Sequence, residues 1–205
     1  FGFFFPKINL KALHAGVFRN VLESSSDSYT PPQDDLLFLK EGRSVSVSVF
    51  RNTDDTFLKV NGKTDASMVG DLVTQYMLGH VPLFLNPLAK DVCIVGLGSG
   101  ATARAVGGHP VKSIDIVELE PSVVEASDYF KSINNNILLD PRVAVHLDDG
   151  RTFLKYQNKT YDVIISEPSN PWVSGVSSLF TSEYYGIVKS RLSKNGLFCQ
   201  WVQFY

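Results

Sequence analysis

Polar and apolar residues alternate strictly over 44–49 (SVSVSV), so Val45, Val47 and Val49 share one face. That pattern predicts a half-buried strand. Asn52-Thr53-Asp54-Asp55 then supplies a turn, and 57–60 a second strand. The two would form a hairpin or small antiparallel sheet, closed by Asn61-Gly62. Over 66–79, apolar residues recur at Met68, Val69, Leu72, Val73, Tyr76 and Met77, the spacing of a helix. Pro82 and Pro87 are expected to break the chain after it.

From residue 91 onward the pattern alternates between short apolar runs and helical spacing. DVCIV (Asp91–Val95) predicts a buried strand, then a glycine-rich turn and a helix from Ala101. SIDIVE (Ser113–Glu118) predicts a second strand, with Pro121 suited to a first helical turn. Val143–Leu147 and YDVIIS (Tyr161–Ser166) predict a third and a fourth. A helix is expected over 181–192, with Ile187, Val188 and Leu192 inward and Gly196 just past its end. Residues 197–202 predict a fifth strand. Such alternation implies an α/β fold, a parallel sheet with helices on both faces.

Composition narrows the class. With 205 residues, 44% hydrophobic and 20% charged, the chain can bury a core without staples. That excludes a disordered tail, a collagen-like fibre and a disulfide scaffold. A net charge of −2 argues against nucleic acid as a partner. No apolar run reaches the roughly 18 residues of a membrane helix. Phe1-Gly2-Phe3-Phe4-Phe5-Pro6 lacks the basic start of a signal peptide and reads as the cut edge of something longer. Residues 24–35 (SSSDSYTPPQDD) read as a loop. Cys93 and Cys199 have no Cys or His at metal-ligand spacing, and the four histidines are scattered. Two core thiols in a reducing compartment are expected, and no metal.

Four strand ends carry candidate chemistry, which in open α/β sheets is where ligands sit. Gly96, Gly98 and Gly100 can turn tightly and admit a ligand to the backbone. Glu118, at the next strand end, can accept from both hydroxyls of a ribose. A dinucleotide stays open on these two features, although GxGxG spacing leans away from it. Asp148-Asp149-Gly150 can accept from an adenine amino group, or form a solvated turn. Glu167-Pro168-Ser169-Asn170-Pro171-Trp172 holds an acid, an amide and an aromatic ring in a proline-stiffened loop.

The runs VCIVGLGSGATARAV, IDIVELEPSVVEAS, VHLDDGRTFL, YDVIISEPSNPW and LFTSEYY resemble the spermidine/spermine synthase family of aminopropyltransferases. VNGKTDASMVGDLVTQYMLGHVPL is similar to that family's entry into its catalytic domain. The likeness covers 36–205 and is closest to a spermidine synthase-like branch often joined to membrane segments. It implies a Rossmann-like, class I methyltransferase-type sheet behind a small antiparallel β-domain. The division implied is 1–35 with no element assigned, 36–64 as the β-domain and 65–205 as the catalytic domain, cut short after its fifth strand. In that sheet order the Cys93 and Cys199 strands are not neighbours, which excludes a disulfide between them.

Carried over by position, the resemblance implies that Gly96, Gly98, Ser99, Gly100, Glu118, Asp148, Asp149 and Gln75 hold the donor. That donor is S-adenosylmethionine or its decarboxylated form, a co-substrate. Glu167 falls at the catalytic acid and Asn170 at a second acid that holds the amine. Asp65, His80 and Trp172 would face the amine, with Trp172 also readable as packing. Ser99, Asn170, Thr74 and Asp65 depart from the family's Asp, Asp, Tyr and Gln. The expected function is aminopropyl transfer to a small-molecule amine in polyamine biosynthesis. The alternatives are a methyltransferase and a non-catalytic ligand-sensing domain of a membrane protein. A cytoplasmic setting, a homodimer and membrane segments in a longer parent chain complete the expectations.

Overall fold

The computed structural model describes residues 34–42, 45–169 and 176–202. The expectations for residues 1–33 and for Asn170, Pro171 and Trp172 fall outside these. The first elements are strands β1 (Asp35–Glu41), β2 (Ser46–Arg51), β3 (Thr56–Val60) and β4 (Lys63–Ser67). They form an antiparallel meander in chain order. The Asn52 Oδ1 accepts from the backbone N–H groups of Asp54 and Asp55 at 2.9 and 2.8 Å, which makes the first expected turn. Asn61 and Gly62 take positive φ values of 50° and 77°, as a two-residue hairpin turn with primed geometry requires.

Two expectations change here. β2 is buried on both faces rather than one, because Phe50, Phe57 and the stem of Lys59 cover the side opposite Val47 and Val49. Residues 66 and 67 belong to β4 and not to a helix: Ala66 pairs with Leu58 and Ser67 with Phe57. The Asp55 carboxylate then accepts from the N–H groups of Met68 and Val69 at 2.9 and 3.1 Å, holding a turn.

Helix α1 therefore spans Leu72–Leu85 and runs through Pro82. Pro82 brings no N–H for a helix bond, and the helix ends within a turn of it, at Leu85. The buried side is Gln75, Leu78, Gly79, Pro82 and Leu83, while Val69, Val73 and Met77 are 63%, 73% and 52% exposed. The inward face thus pairs Leu78 and Leu83 with the small Gly79 and the polar Gln75.

The second sheet contains β5 (Asp91–Val95), β6 (Ser113–Glu118), β7 (Val143–Leu147), β8 (Tyr161–Ser166) and β9 (Leu192–Gln200). Its order is β7-β6-β5-β8-β9, parallel throughout. The helices between its strands are α2 (Ala101–Gly107), α3 (Pro121–Ala126), α4 (Lys131–Asn134), α5 (Gly150–Tyr156) and α6 (Ser182–Arg191). β9 begins at Leu192, directly after α6, and contains Gly196, which the sequence placed just past the helix end and before the strand. Its register slips between the Tyr161–Leu192 and Val163–Leu197 pairs. Gly196 lies in that irregular stretch, where a Cβ would stand 2.9 Å from the Tyr161 carbonyl oxygen.

Alternate residues of β5 serve opposite sides of the sheet. Val92 and Ile94 join a core shared with Val47, Leu58 and Leu78. Cys93 and Val95 join another with Phe153, Leu154, Tyr184 and Val188. This two-sided burial explains the unbroken apolar runs of the parallel strands. The expected domain boundary at residue 65 falls inside β4, and the first core includes residues from both sheets. Among the described residues no helix is long and apolar enough to cross a membrane.

Candidate active site

The sheet order reverses at β5: β6 and β7 lie to one side, β8 and β9 to the other. A ligand crevice is expected beyond the carboxyl ends of the strands at such a point. The glycine loop, Glu118 and Glu167 follow β5, end β6 and follow β8, so all three lie on that one edge.

Gly96, Gly98 and Gly100 have φ values of 96°, 53° and 83°, a region L side chains rarely occupy. A Cβ at Gly96 would stand 2.8 Å from the Glu167 carbonyl oxygen, and one at Gly100 would stand 3.1 Å from the Asn134 Cβ. At Gly98 the nearest atom would be the Ala66 Cβ at 3.8 Å, so this glycine leaves room above the loop.

Glu118 is buried and braces that loop. Its Oε2 accepts from the Leu97 N–H at 2.9 Å and its Oε1 from the Glu120 N–H at 2.9 Å. Burial raises its carboxyl above the usual range, the backbone donors oppose the shift, and the nearby Glu120 charge adds to it. Carboxylate oxygens have further lone pairs, so these bonds leave acceptor capacity for a ligand.

Ser99 and Gln75 are buried against one another: the Ser99 hydroxyl donates to the Gln75 Oε1. The Gln75 amide donates to the Ser67 carbonyl at 3.3 Å, and the Asn134 amide donates to the Ser99 carbonyl at 2.9 Å. Both side chains are engaged in holding the loop. Asp149 is the N-cap of α5, accepting from the Thr152 N–H at 2.8 Å, and the exposed Asp148 accepts from the Asp149 N–H at 2.8 Å. Both follow β7, on the same edge as Glu118.

Asp65 reaches across from β4. The Lys63 ammonium donates to its Oδ1 at 2.6 Å, and the Ser169 hydroxyl does so at 2.8 Å. The small sheet is thereby tied to the loop that carries Glu167. His80 is not brought to this cluster. Its Nδ1 lies 2.9 Å from the His109 Nε2, beyond the C-terminal end of α2, and its ring stacks on Phe84. The glycine loop is at the other end of that helix.

Glu167 is held by a contact the sequence did not signal. The Thr102 Oγ1 stands 2.8 Å from the Glu167 Oε2. Burial lifts the Glu167 carboxyl to about 7, the Thr102 bond draws it down, and the Asp71 charge pushes it up. Asn134 was also unforeseen, because it lies 35 residues along the chain from the loop it supports. Lys63 was overlooked as well, since a single lysine in a short strand has no distinguishing pattern.

The sheet, its reversal point and the glycine loop place the protein among Rossmann-like α/β proteins of the class I methyltransferase type. Within that class the chain belongs to the spermine/spermidine synthase domain family, whose profile matches residues 71–203. It is 30% identical over 194 residues to the polyamine aminopropyltransferase of Buchnera aphidicola, covering 93% of this chain and 65% of that protein. It is 34% identical over 144 residues to the spermidine synthase of Dictyostelium discoideum, covering 69% of this chain and 50% of that one. A solved spermidine synthase in complex with the transition state analogue AdoDATO matches with a TM-score of 0.76 at 28% identity, over 80% of this chain and 57% of that one. The spermidine synthase of Thermotoga maritima matches with a TM-score of 0.73 at 27% identity, over 80% of this chain and 56% of that one. This chain thus spans 50–65% of the length of these two curated relatives.

Proposed function

We propose that this chain belongs to an aminopropyltransferase of polyamine biosynthesis, with decarboxylated S-adenosylmethionine as donor and a small amine as acceptor. The observation that carries the reading is the placement of Glu118 and Glu167 on one sheet edge, flanking a glycine loop with open space at Gly98. Glu118 takes the ribose hydroxyls, Asp149 the adenine amino group, with Asp148 beside it, and Gly98 admits the donor to the backbone. Ser99 and Gln75 support the loop from behind, consistent with their mutual hydrogen bond.

In the transfer, the acceptor nitrogen attacks the aminopropyl carbon attached to the sulfonium. The N–C bond forms, the C–S bond breaks, and its electron pair goes to sulfur. An alkylamine with a pKa near about 10.4 is almost wholly protonated at neutral pH. A base is therefore useful, and a carboxyl lifted to about 7 is well matched to the task. Glu167 takes the proton, Asn170 accepts from the amine, and Trp172 and Asp65 line the acceptor side.

A calorimetric titration against both sulfonium donors and NAD tests the reading. The decarboxylated donor is expected to bind tightest. Ser99, standing where the family has an acid, favours methyl transfer as the second reading, and tighter binding of intact S-adenosylmethionine would select it. Tight binding of NAD with neither sulfonium bound would overturn both. Glu167→Gln is expected to lower turnover by about 100-fold or more, with donor affinity nearly unchanged.

A further inference from the structure

The Thr102 hydroxyl is buried between two oxygens. One is the Glu167 Oε2 at 2.8 Å, the other the Gln75 main-chain carbonyl at 2.9 Å. A hydroxyl has one proton to donate and two lone pairs. A main-chain carbonyl can only accept, whereas a carboxyl oxygen accepts when ionised and donates when protonated. Two arrangements follow. With Glu167 ionised, Thr102 donates to it. With Glu167 protonated, Glu167 donates to Thr102, and Thr102 donates to the Gln75 carbonyl. The hydroxyl is satisfied in both.

We propose that Thr102 is a positioning residue for the transfer reaction, holding the Glu167 carboxyl in one orientation through both of its protonation states by reversing its own hydroxyl. This rests on the reading of Glu167 as the base. Thr102 touches neither donor nor acceptor; it acts through Glu167. Asp71 at the N-cap of α1 also acts on this carboxyl, and the Lys63–Asp65 pair of β4 stands two residues along, at Ser169. Gln75 lies on α1 and Thr102 in the first turn of α2, so the hydroxyl and its carbonyl acceptor are placed by helix backbone, while Glu167 follows β8 directly.

The test compares kcat against pH for wild type, Thr102→Val, Thr102→Ser and Glu167→Gln, with donor affinity measured alongside. Thr102→Val removes the hydroxyl and keeps the shape. Its kcat at pH 7 is expected to fall about 10-fold or more. Its acidic limb should move up by about one pH unit, because the charge-assisted bond to the ionised carboxylate is the stronger of the two bonds lost. Donor affinity should stay within about two-fold, since no donor contact is lost. Thr102→Ser should restore rate and limb together. A wild-type pH profile in Thr102→Val, beside an impaired Glu167→Gln, would overturn the role of Thr102 alone. Full turnover in Glu167→Gln would instead remove the base. A second measurement needs no altered Thr102. In the wild-type chain, the 13C shift of the Thr102 Cβ should titrate with the same midpoint as the Glu167 carboxyl, and a Thr102 signal flat across that range would overturn the proposal.

Discussion

A carboxyl lifted to about 7 is half ionised at neutral pH, and Glu167 meets that state inside the protein. The linkage has a definite sign. Its ordinary value is 4.5, so between 4.5 and about 7 the folded state binds more protons than the unfolded one. The stability associated with Glu167 is fully present below the lower value and is lost as pH rises through the upper. Discounted for partial exposure, the loss is about 2 kcal/mol, or roughly 4–8 °C in melting temperature. Glu167→Gln cannot ionise. Scanning calorimetry should find it melting above wild type at pH 8 and level with it near pH 4.5; an equal offset at both would rule this carboxyl out as the source. Glu167, Glu118 and the glycines were legible because their chemistry is tied to strand ends, which the apolar runs mark. The resemblance places Ser99 and Gln75 at the donor, and the structure adds a hydrogen bond between them that position alone does not reveal. Thr102 gave no signal because one threonine in an early helical turn is common, and its partner oxygens come from distant segments.

At the scale of elements, the helix after β4 was the hardest to read. Val73, Met77, Phe84 and Leu85 point outward while Leu78 and Leu83 point inward beside Gly79, where α2 crosses. A Cβ there would stand 2.6 Å from the Ala105 Cβ and 2.7 Å from the Thr102 carbonyl oxygen. Backbone cannot yield as a flexible side chain does, so the methyl would push the helices apart. Gly79→Ala is expected to destabilise the fold by about 1–3 kcal/mol, against the usual gain from alanine in a helix. Chemical denaturation measures it, and a stabilised variant would show that the contact relaxes freely. The same displacement would reach Thr102, so turnover should fall with stability. β5, β6, β7 and β8 were legible at their observed bounds, whereas β9 begins five residues before the expected 197, its early stretch 193–195 being polar. β4 was not legible, because Lys63, Thr64 and Asp65 offer no apolar repeat, and the register with β3 slips at Asp65.

For the whole molecule, sheet order decides what the two cysteines can do. Cys93 lies on β5 and Cys199 on β9, with β8 between them. Two strand spacings are about 10 Å, beyond the roughly 7 Å a disulfide can span. Both thiols are free, and burial raises each above its ordinary value. Cys199, only partly buried, should react first with a thiol reagent in the folded protein, and Cys93 only on unfolding. Mass spectrometry after mild oxidation should find no link between them within one chain. That β8 intervenes was legible only through the family likeness, because strand periodicity says nothing about which strands are neighbours.

Glu118 ties one carboxylate oxygen to the Leu97 amide of the glycine turn and the other to the Glu120 amide. The entropy of ordering the glycine turn is therefore lost when the chain folds, and little of it remains to be lost on capture. If the proposed donor binds here, its encounter should resemble a key entering a cut lock. Replacing this acid would act twice over, loosening the receptor before a ligand arrives and withdrawing a contact once it has.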